Sequence, residues 1–250
     1  MKKALCTLLV LSAACFALQA DTITMWDFNS NPPDANPATG TLVPNYGVGT
    51  CTLIGAPAYS FLAPAQSTSD TDSPGDNSGL RTVTYPTASL NNKKYGVQYM
   101  TSTVGFTDIQ LQWDQNNSAT SSKYWRMQYT INGTTWIDKD VITASGDNLW
   151  VDGRTDDFSS IPAAANDPNF GFRLVSEFVS TATGSGAASY TANATGSTYG
   201  TGGTFWMDYV VLTGTLVPEP ATASLCLLGG LAVLLRRRKQ SEGVTGSPTC

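Results

Sequence analysis

The sequence contains no histidine, and only one cysteine, Cys51, lies between residues 21 and 217. The lack of histidine excludes a Ser-His-Asp or Cys-His catalytic site and removes the most frequent zinc ligand. A single cysteine cannot form a disulfide within this region, so its stability comes from burial, or from burial and a metal ion. We expect Cys51 to be a small buried apolar residue rather than a reactive thiol.

Basic residues are also scarce. Residues 21–217 contain eight lysines and arginines against 17 acidic residues, a net charge of −9. An acidic surface repels phosphate backbones, which argues against nucleic-acid binding. Hydrophobic residues make up 41% of the chain and aromatic residues 10%, which favours a folded domain over a disordered spacer.

The chain begins with a short apolar segment. Two lysines precede an apolar stretch, Ala4 to Leu18, which is the pattern of a signal peptide over residues 1–20. We expect export through the Sec translocon, with cleavage after Ala20 or Ala17. An alternative is that Cys15 is acylated and the protein is a lipoprotein.

A second apolar run, Ala221 to Leu235, lies near the other end of the chain. As a helix, its 15 residues would measure roughly 22 Å, less than the roughly 30 Å hydrocarbon core of a bilayer. The apolar run is therefore shorter than a permanent membrane-spanning anchor needs to be. It suits transient insertion into the inner membrane, because flanking arginines can snorkel and a basic cluster stays cytoplasmic. Such a cluster follows the run and consists of Arg236, Arg237, Arg238 and Lys239.

Pro218, Glu219 and Pro220 come directly before the apolar run. Together with the run and the basic cluster, they resemble the PEP-CTERM sorting signal of bacterial surface proteins, here over residues 217–240. The resemblance implies recognition by exosortase, a membrane-embedded cysteine transpeptidase that removes the tail and passes the protein toward the cell exterior. Residues 241–250 form a terminal extension without an assigned role. The alternative interpretation is an ordinary C-terminal membrane anchor.

The region between the two apolar segments has the alternating apolar and polar pattern that predicts β-strands. Trp125, Met127 and Tyr129 alternate with polar residues, and Asn132-Gly133 follows as a type I′ hairpin signal. The stretch 205–212 is apolar on both faces apart from Asp208, which predicts a central strand. We therefore predict an all-β fold, a single antiparallel β-sandwich of jelly-roll type, over residues 21–216.

Four segments resemble the opening and closing strands of jelly-roll domains in bacterial exported proteins. They are Trp26-Asp27-Phe28-Asn29 and the ranges 128–136, 170–175 and 207–211. The resemblance implies a concanavalin- or galactose-binding-like sandwich, and it fixes no activity.

Calcium is the metal that the sequence suits best, because it takes six to eight oxygen ligands. The side chains of Asp70, Asp72 and Asp76 place several carboxylate oxygens in one loop. The jelly-roll resemblance implies a second structural calcium site where the first and last strands meet, at Asp27 and Asp208.

Trp136 and Trp150 lie next to predicted turns. Their rings are candidates for stacking on sugars. The sequence therefore predicts an exported surface or extracellular-matrix protein, structural or adhesive, that binds exopolysaccharide and has no catalytic residues. The alternative is a secreted glycan hydrolase, since two carboxylates at suitable separation suffice for that reaction. The candidate acids are Glu177, Asp108, Asp114, Asp138, Asp140, Asp156 and Asp157.

Overall fold

The computed structural model describes residues 20–63, 69, 76–146 and 148–217. Residues 1–19 and 218–250, which hold all but one residue each of the predicted signal peptide and sorting signal, lie outside the described residues, as do Asp70 and Asp72. Within the described residues, no helix is long and apolar enough to cross a membrane. The strands are β1 (Ala20–Trp26), β2 (Gly49–Ile54), β3 (Ala58–Leu62), β4 (Gly79–Val83), β5 (Gly96–Thr101), β6 (Phe106–Asn117), β7 (Tyr124–Thr130), β8 (Ile137–Thr143), β9 (Val151–Asp157), β10 (Gly171–Glu177) and β11 (Phe205–Leu216).

These strands form two antiparallel sheets. Sheet A has the order β3-β4-β11-β6-β9, and β1 pairs with β11 on the same edge as β4. Sheet B has the order β2-β5-β10-β7-β8. The protein is a β-sandwich, as the alternating sequence pattern predicted, and β11 is a central strand because strands pair with both of its edges.

The core lies between the sheets and is built mainly from aromatic rings. Trp125 of sheet B stacks on Phe205 of sheet A, with ring centroids 3.9 Å apart. Tyr99 of sheet B meets Trp26 of sheet A edge to face at 4.9 Å. All four rings belong to the buried core, and aromatic side chains are among the largest that are fully buried. Cys51 is also buried there, and burial raises the pKa of its thiol to about 12.

The connection between β7 and β8 differs from the predicted tight turn. The two strands do form a hairpin, but the loop runs from 131 to 136, and of Asn132 and Gly133 only Gly133 has a positive φ. A type I′ turn needs positive φ at both positions. Instead, the Asn132 side-chain oxygen accepts hydrogen bonds from the amides of Thr134 and Thr135. This side-chain turn replaces the backbone turn and lengthens the loop.

Residues 181–203 are rich in Gly, Ser, Thr and Ala, a composition that predicts a flexible loop around a short strand near Tyr190. In the structure, this stretch is tethered by specific contacts. A short helix, α1 (Val179–Thr183), begins it and ends at Gly184, whose φ is 74°. The Tyr190 amide donates to the Ala88 carbonyl at 2.7 Å, and the Tyr190 ring stacks on Tyr199. Only an isolated bridge, between Ser122 and Ala192, forms near the predicted strand.

Candidate functional site

A straight row of polar side chains crosses sheet B. In register from β2 to β8, the residues opposite one another are Thr52, Gln98, Arg173, Gln128 and Asp138, which we call the polar row. Arg173 lies between Phe172 and Leu174 on β10, and both of these belong to the core. Because alternate residues of a strand point to opposite faces, the polar row lies on the outer face of sheet B.

The middle of the polar row is held by short hydrogen bonds. Arg173 donates from Nε to the Gln128 side-chain oxygen at 2.6 Å, and Gln128 donates from Nε2 to Asp138 at 2.6 Å. The Arg173 guanidinium also lies over the Trp136 ring, 4.2 Å from its centroid. Burial lowers the pKa of Arg173 to about 10, which still leaves the side chain charged at neutral pH.

Trp136 reaches this position from the loop that the Asn132 side chain organises. The ring is half-buried, and it lies beside Arg173 in the middle of the polar row. Trp136 is a predicted sugar contact because it lies beside a predicted turn, and the structure adds a charged partner, Arg173, from a strand distant in the chain. The structure thus places an aromatic ring beside hydrogen-bonding groups at the surface of sheet B.

An ion-pair group lies beside the polar row, toward α1. Glu177 is fully buried, and it accepts hydrogen bonds from Arg126 Nε at 2.9 Å and Nη2 at 2.8 Å. Lys93 Nζ lies 3.2 Å from Glu177 and also pairs with Asp138. Burial alone would raise the pKa of Asp138, but the bonds from Gln128 and Lys93 hold it below its usual value. The polar row and the ion-pair group thus share Asp138, which links Arg173 and Gln128 to the ion-pair group.

The acids predicted as hydrolase candidates are dispersed. Glu177 and Asp138 belong to the ion-pair group, whereas Asp140 and Asp156 contact Lys139 at the sandwich edge. Asp114 is buried on sheet A and accepts hydrogen bonds from Ser69 and the Gly153 amide, each at 2.7 Å. Asp108 and Asp157 are exposed.

Residues from both predicted calcium sites lie together in the structure. Asp27 and Asp76, assigned to separate sites from the sequence, line one cavity of about 300 Å³ together with Asn29 and Asn45. Asp208 lies opposite Asp114 in the pairing of β11 with β6. Among the described residues there is no group of three or more acidic, histidine or cysteine side chains that could hold a metal ion.

Trp150, the other predicted sugar contact, lies on the far side of the sandwich. Its ring meets Trp206 edge to face, with centroids 6.2 Å apart, and the Arg81 guanidinium lies 5.9 Å from the Trp206 ring. Trp150 and Trp136 therefore do not form a joint site.

Comparison with known protein families identifies the PEP-CTERM protein-sorting motif at residues 216–239. The motif marks an exported protein that exosortase processes at the membrane and sorts to the cell surface. This confirms the interpretation of the Pro-Glu-Pro segment, the short apolar run and the basic cluster. No curated protein matches the chain.

Several solved structures share the general architecture. The CBM22-1 xylan-binding domain of Xyn10C from Paenibacillus barcinonensis has a TM-score of 0.45 at 9% identity, over 81% of this chain and 99% of that chain. The K1 cleaved adhesin domain of Lys-gingipain from Porphyromonas gingivalis W83 has a TM-score of 0.40 at 8% identity, over 79% and 98%. Similarity at this level does not identify a shared activity.

Proposed function

We propose that this exported protein binds extracellular polysaccharide on the outer face of sheet B. The observation that carries the proposal is the Arg173 guanidinium, fixed between the Trp136 ring and Gln128 at the surface of the sheet. Of the five N–H donors of the Arg173 guanidinium, only Nε–H donates a hydrogen bond to another residue that the structure describes. The other four N–H donors of the guanidinium are available to sugar oxygens.

The fixed geometry of the polar row favours binding. A ligand that meets preorganised groups does not have to order them, so less of the interaction free energy is lost. Asp138 has 41% of its side chain exposed and accepts from Gln128 and Lys93, which leaves its carboxylate oriented at the surface. Thr52 is exposed, and Gln98 is half-buried beside Arg173. The row therefore offers hydroxyl, amide, guanidinium and carboxylate groups along a line across five strands.

Binding fits the geometry of this face better than hydrolysis. A glycosidase needs a carboxylic acid that touches the glycosidic oxygen and a second carboxylate on the opposite side of the sugar. Glu177 has no exposed side-chain surface and is held by Arg126 and Lys93. Its oxygens are occupied by Arg126 and Lys93, so it cannot reach the glycosidic oxygen of a bound sugar.

Replacing Trp136 by alanine is expected to weaken polysaccharide binding about tenfold or more, a loss of ~1.4 kcal/mol or more. The substitution removes the ring surface for a sugar and frees the Arg173 guanidinium to move. Isothermal titration with exopolysaccharide purified from the producing cells measures the effect. Trp136→Phe should retain part of the affinity, since a smaller ring remains.

The control for this experiment is Tyr59→Ala. Tyr59 is an exposed aromatic residue on β3 of sheet A, half of whose surface is accessible. Its removal should leave the affinity unchanged. Equal affinities of the Trp136→Ala variant and the unaltered protein would exclude Trp136 from the binding site.

The protein reaches the cell surface before it binds polysaccharide. The chain passes through the Sec translocon, loses residues 1–20, and is held briefly in the inner membrane by the run that ends at Leu235. Removal of the tail by exosortase then releases the sandwich to the cell surface or the extracellular matrix. The net charge of −9 in residues 21–217 suits a soluble protein outside the cell.

We further propose a structural calcium ion in the cavity lined by Asp27 and Asp76. The two carboxylates and the side-chain carbonyl oxygens of Asn29 and Asn45 line this cavity. Carboxylate and carbonyl oxygens are the ligands that calcium prefers. Adding EDTA should lower the melting temperature by several degrees, and excess calcium should restore it, because an ion that binds only the folded state stabilises it. A melting temperature that responds to neither addition would exclude the ion.

A further inference from the structure

A groove crosses the outer face of sheet A, on the side of the sandwich opposite the polar row. Its volume is about 360 Å³, within the range of ligand-binding sites. Two register rows form its floor. Val211, Gln112 and Thr155 lie opposite one another on β11, β6 and β9, and Thr22 and Gln110 flank Thr213 in the next row.

A bulge in β11 directs Tyr209 into this groove. Asp208 pairs with Asp114 and Val211 with Gln112, so two residues of β11 oppose one residue of β6. Tyr209, the first of the two, has a φ of 45°, in the left-handed region that tyrosine seldom adopts. Bulges of this kind re-aim a side chain and are frequent beside functional sites. The half-buried tyrosine lines the groove together with Gln112 and Val211.

The chemistry of the groove differs from that of the polar row. All of the described residues that line it are uncharged: Thr22, Ser69, Gln110, Leu111, Gln112, Thr155, Tyr209, Val211 and Thr213. Hydroxyl and amide groups beside one aromatic ring can exchange hydrogen bonds with sugar hydroxyls in both directions. The described lining offers no charged group that could form an ion pair with a ligand. The occupant that this lining fits is a segment of neutral polysaccharide.

We infer that the groove on sheet A is a second polysaccharide-binding site, and that the domain cross-links two polysaccharide strands. The inference rests on the proposed function of sheet B. Because the two sheets pack face to face, the groove and the polar row lie on opposite sides of the sandwich. One short segment of polysaccharide cannot occupy both, so two bound segments are held apart by the thickness of the domain.

The test uses mature protein recovered from the producing cells and neutral hexasaccharides released from their exopolysaccharide. Isothermal titration should give about two sites per protein, and about one for either Trp136→Ala or Tyr209→Ala. A second groove variant, Gln110→Ala with Thr155→Ala, changes two exposed side chains and avoids the strained bulge. It should also lose one site. Light scattering with the intact polysaccharide should show large particles only for the unaltered protein.

Each outcome separates the two proposals. One site that is lost in Trp136→Ala and unchanged in both groove variants would overturn the second site and leave the proposed function intact. One site that is lost only in the groove variants would overturn cross-linking and the role of sheet B together. Absence of any binding by the unaltered protein would overturn both proposals.

Discussion

Replacing Glu219 by alanine is expected to leave the full-length tail on the protein and to hold the protein in the inner membrane. Glu219 is the only charged residue of the Pro-Glu-Pro segment in the sorting motif. Alanine removes the carboxylate that exosortase would recognise and leaves both prolines in place.

Deleting Arg236 to Lys239 should have the same outcome for a different reason. The basic cluster fixes the orientation of the short apolar run, because lysine and arginine remain on the cytoplasmic side. Immunoblots of membrane and surface fractions measure both variants by their size and location. Glu242→Ala, which alters an acid outside the motif, serves as the control and should be processed normally. Surface release of correctly shortened Glu219→Ala protein would refute the sorting role of this residue.

Replacing Glu177 by alanine is expected to lower the free energy of unfolding by about 3 kcal/mol. The carboxylate is fully buried and neutralises Arg126, whose side chain is only 12% exposed, together with Lys93. Removing the carboxylate leaves Arg126 and Lys93, two poorly solvated cations, close together without the anion that both contact. The main contribution is the cost of uncompensated buried charge rather than the strength of the original pair.

Urea unfolding measures this effect, with Asp140→Ala as the matched control. Asp140 is also paired with a lysine, but 57% of its side chain is exposed, so its loss should cost less than about 1 kcal/mol. Glu177→Gln should fall between the two, because the amide keeps the volume and part of the hydrogen bonding. Equal stabilities of the Glu177→Ala and Asp140→Ala variants would show that the ion-pair group does not support the fold.

The strand pattern could be predicted from the sequence because it is a local property. The alternation around Trp125 and the doubly apolar stretch that begins at Phe205 correspond to β7 and β11, and both rings lie in the core. The sorting motif was equally accessible, since its three parts follow one another within 24 residues. In each case, the signal lies in neighbouring residues and needs no knowledge of strand pairing.

The polar row could not be predicted, because its members come together only through register. Gln98 and Arg173 are 75 positions apart, and nothing in either segment indicates that they lie opposite each other. Glu177 illustrates the same limit. As the only glutamate between residues 21 and 217, it was a candidate catalytic acid, but its partner Arg126 is 51 positions away. The positive φ of Tyr209 likewise depends on the β11 bulge.

The most direct test of the whole account is to isolate the extracellular polysaccharide fraction of the producing cells and determine the intact mass of this protein in it. The account predicts a single folded species that lacks the signal peptide and the tail beyond the Pro-Glu-Pro segment. Trp136→Ala should lower the share of this species that is bound to the polysaccharide and raise the share in the free medium. Full-length protein in the cytosolic fraction, with none bound to polysaccharide, would contradict it.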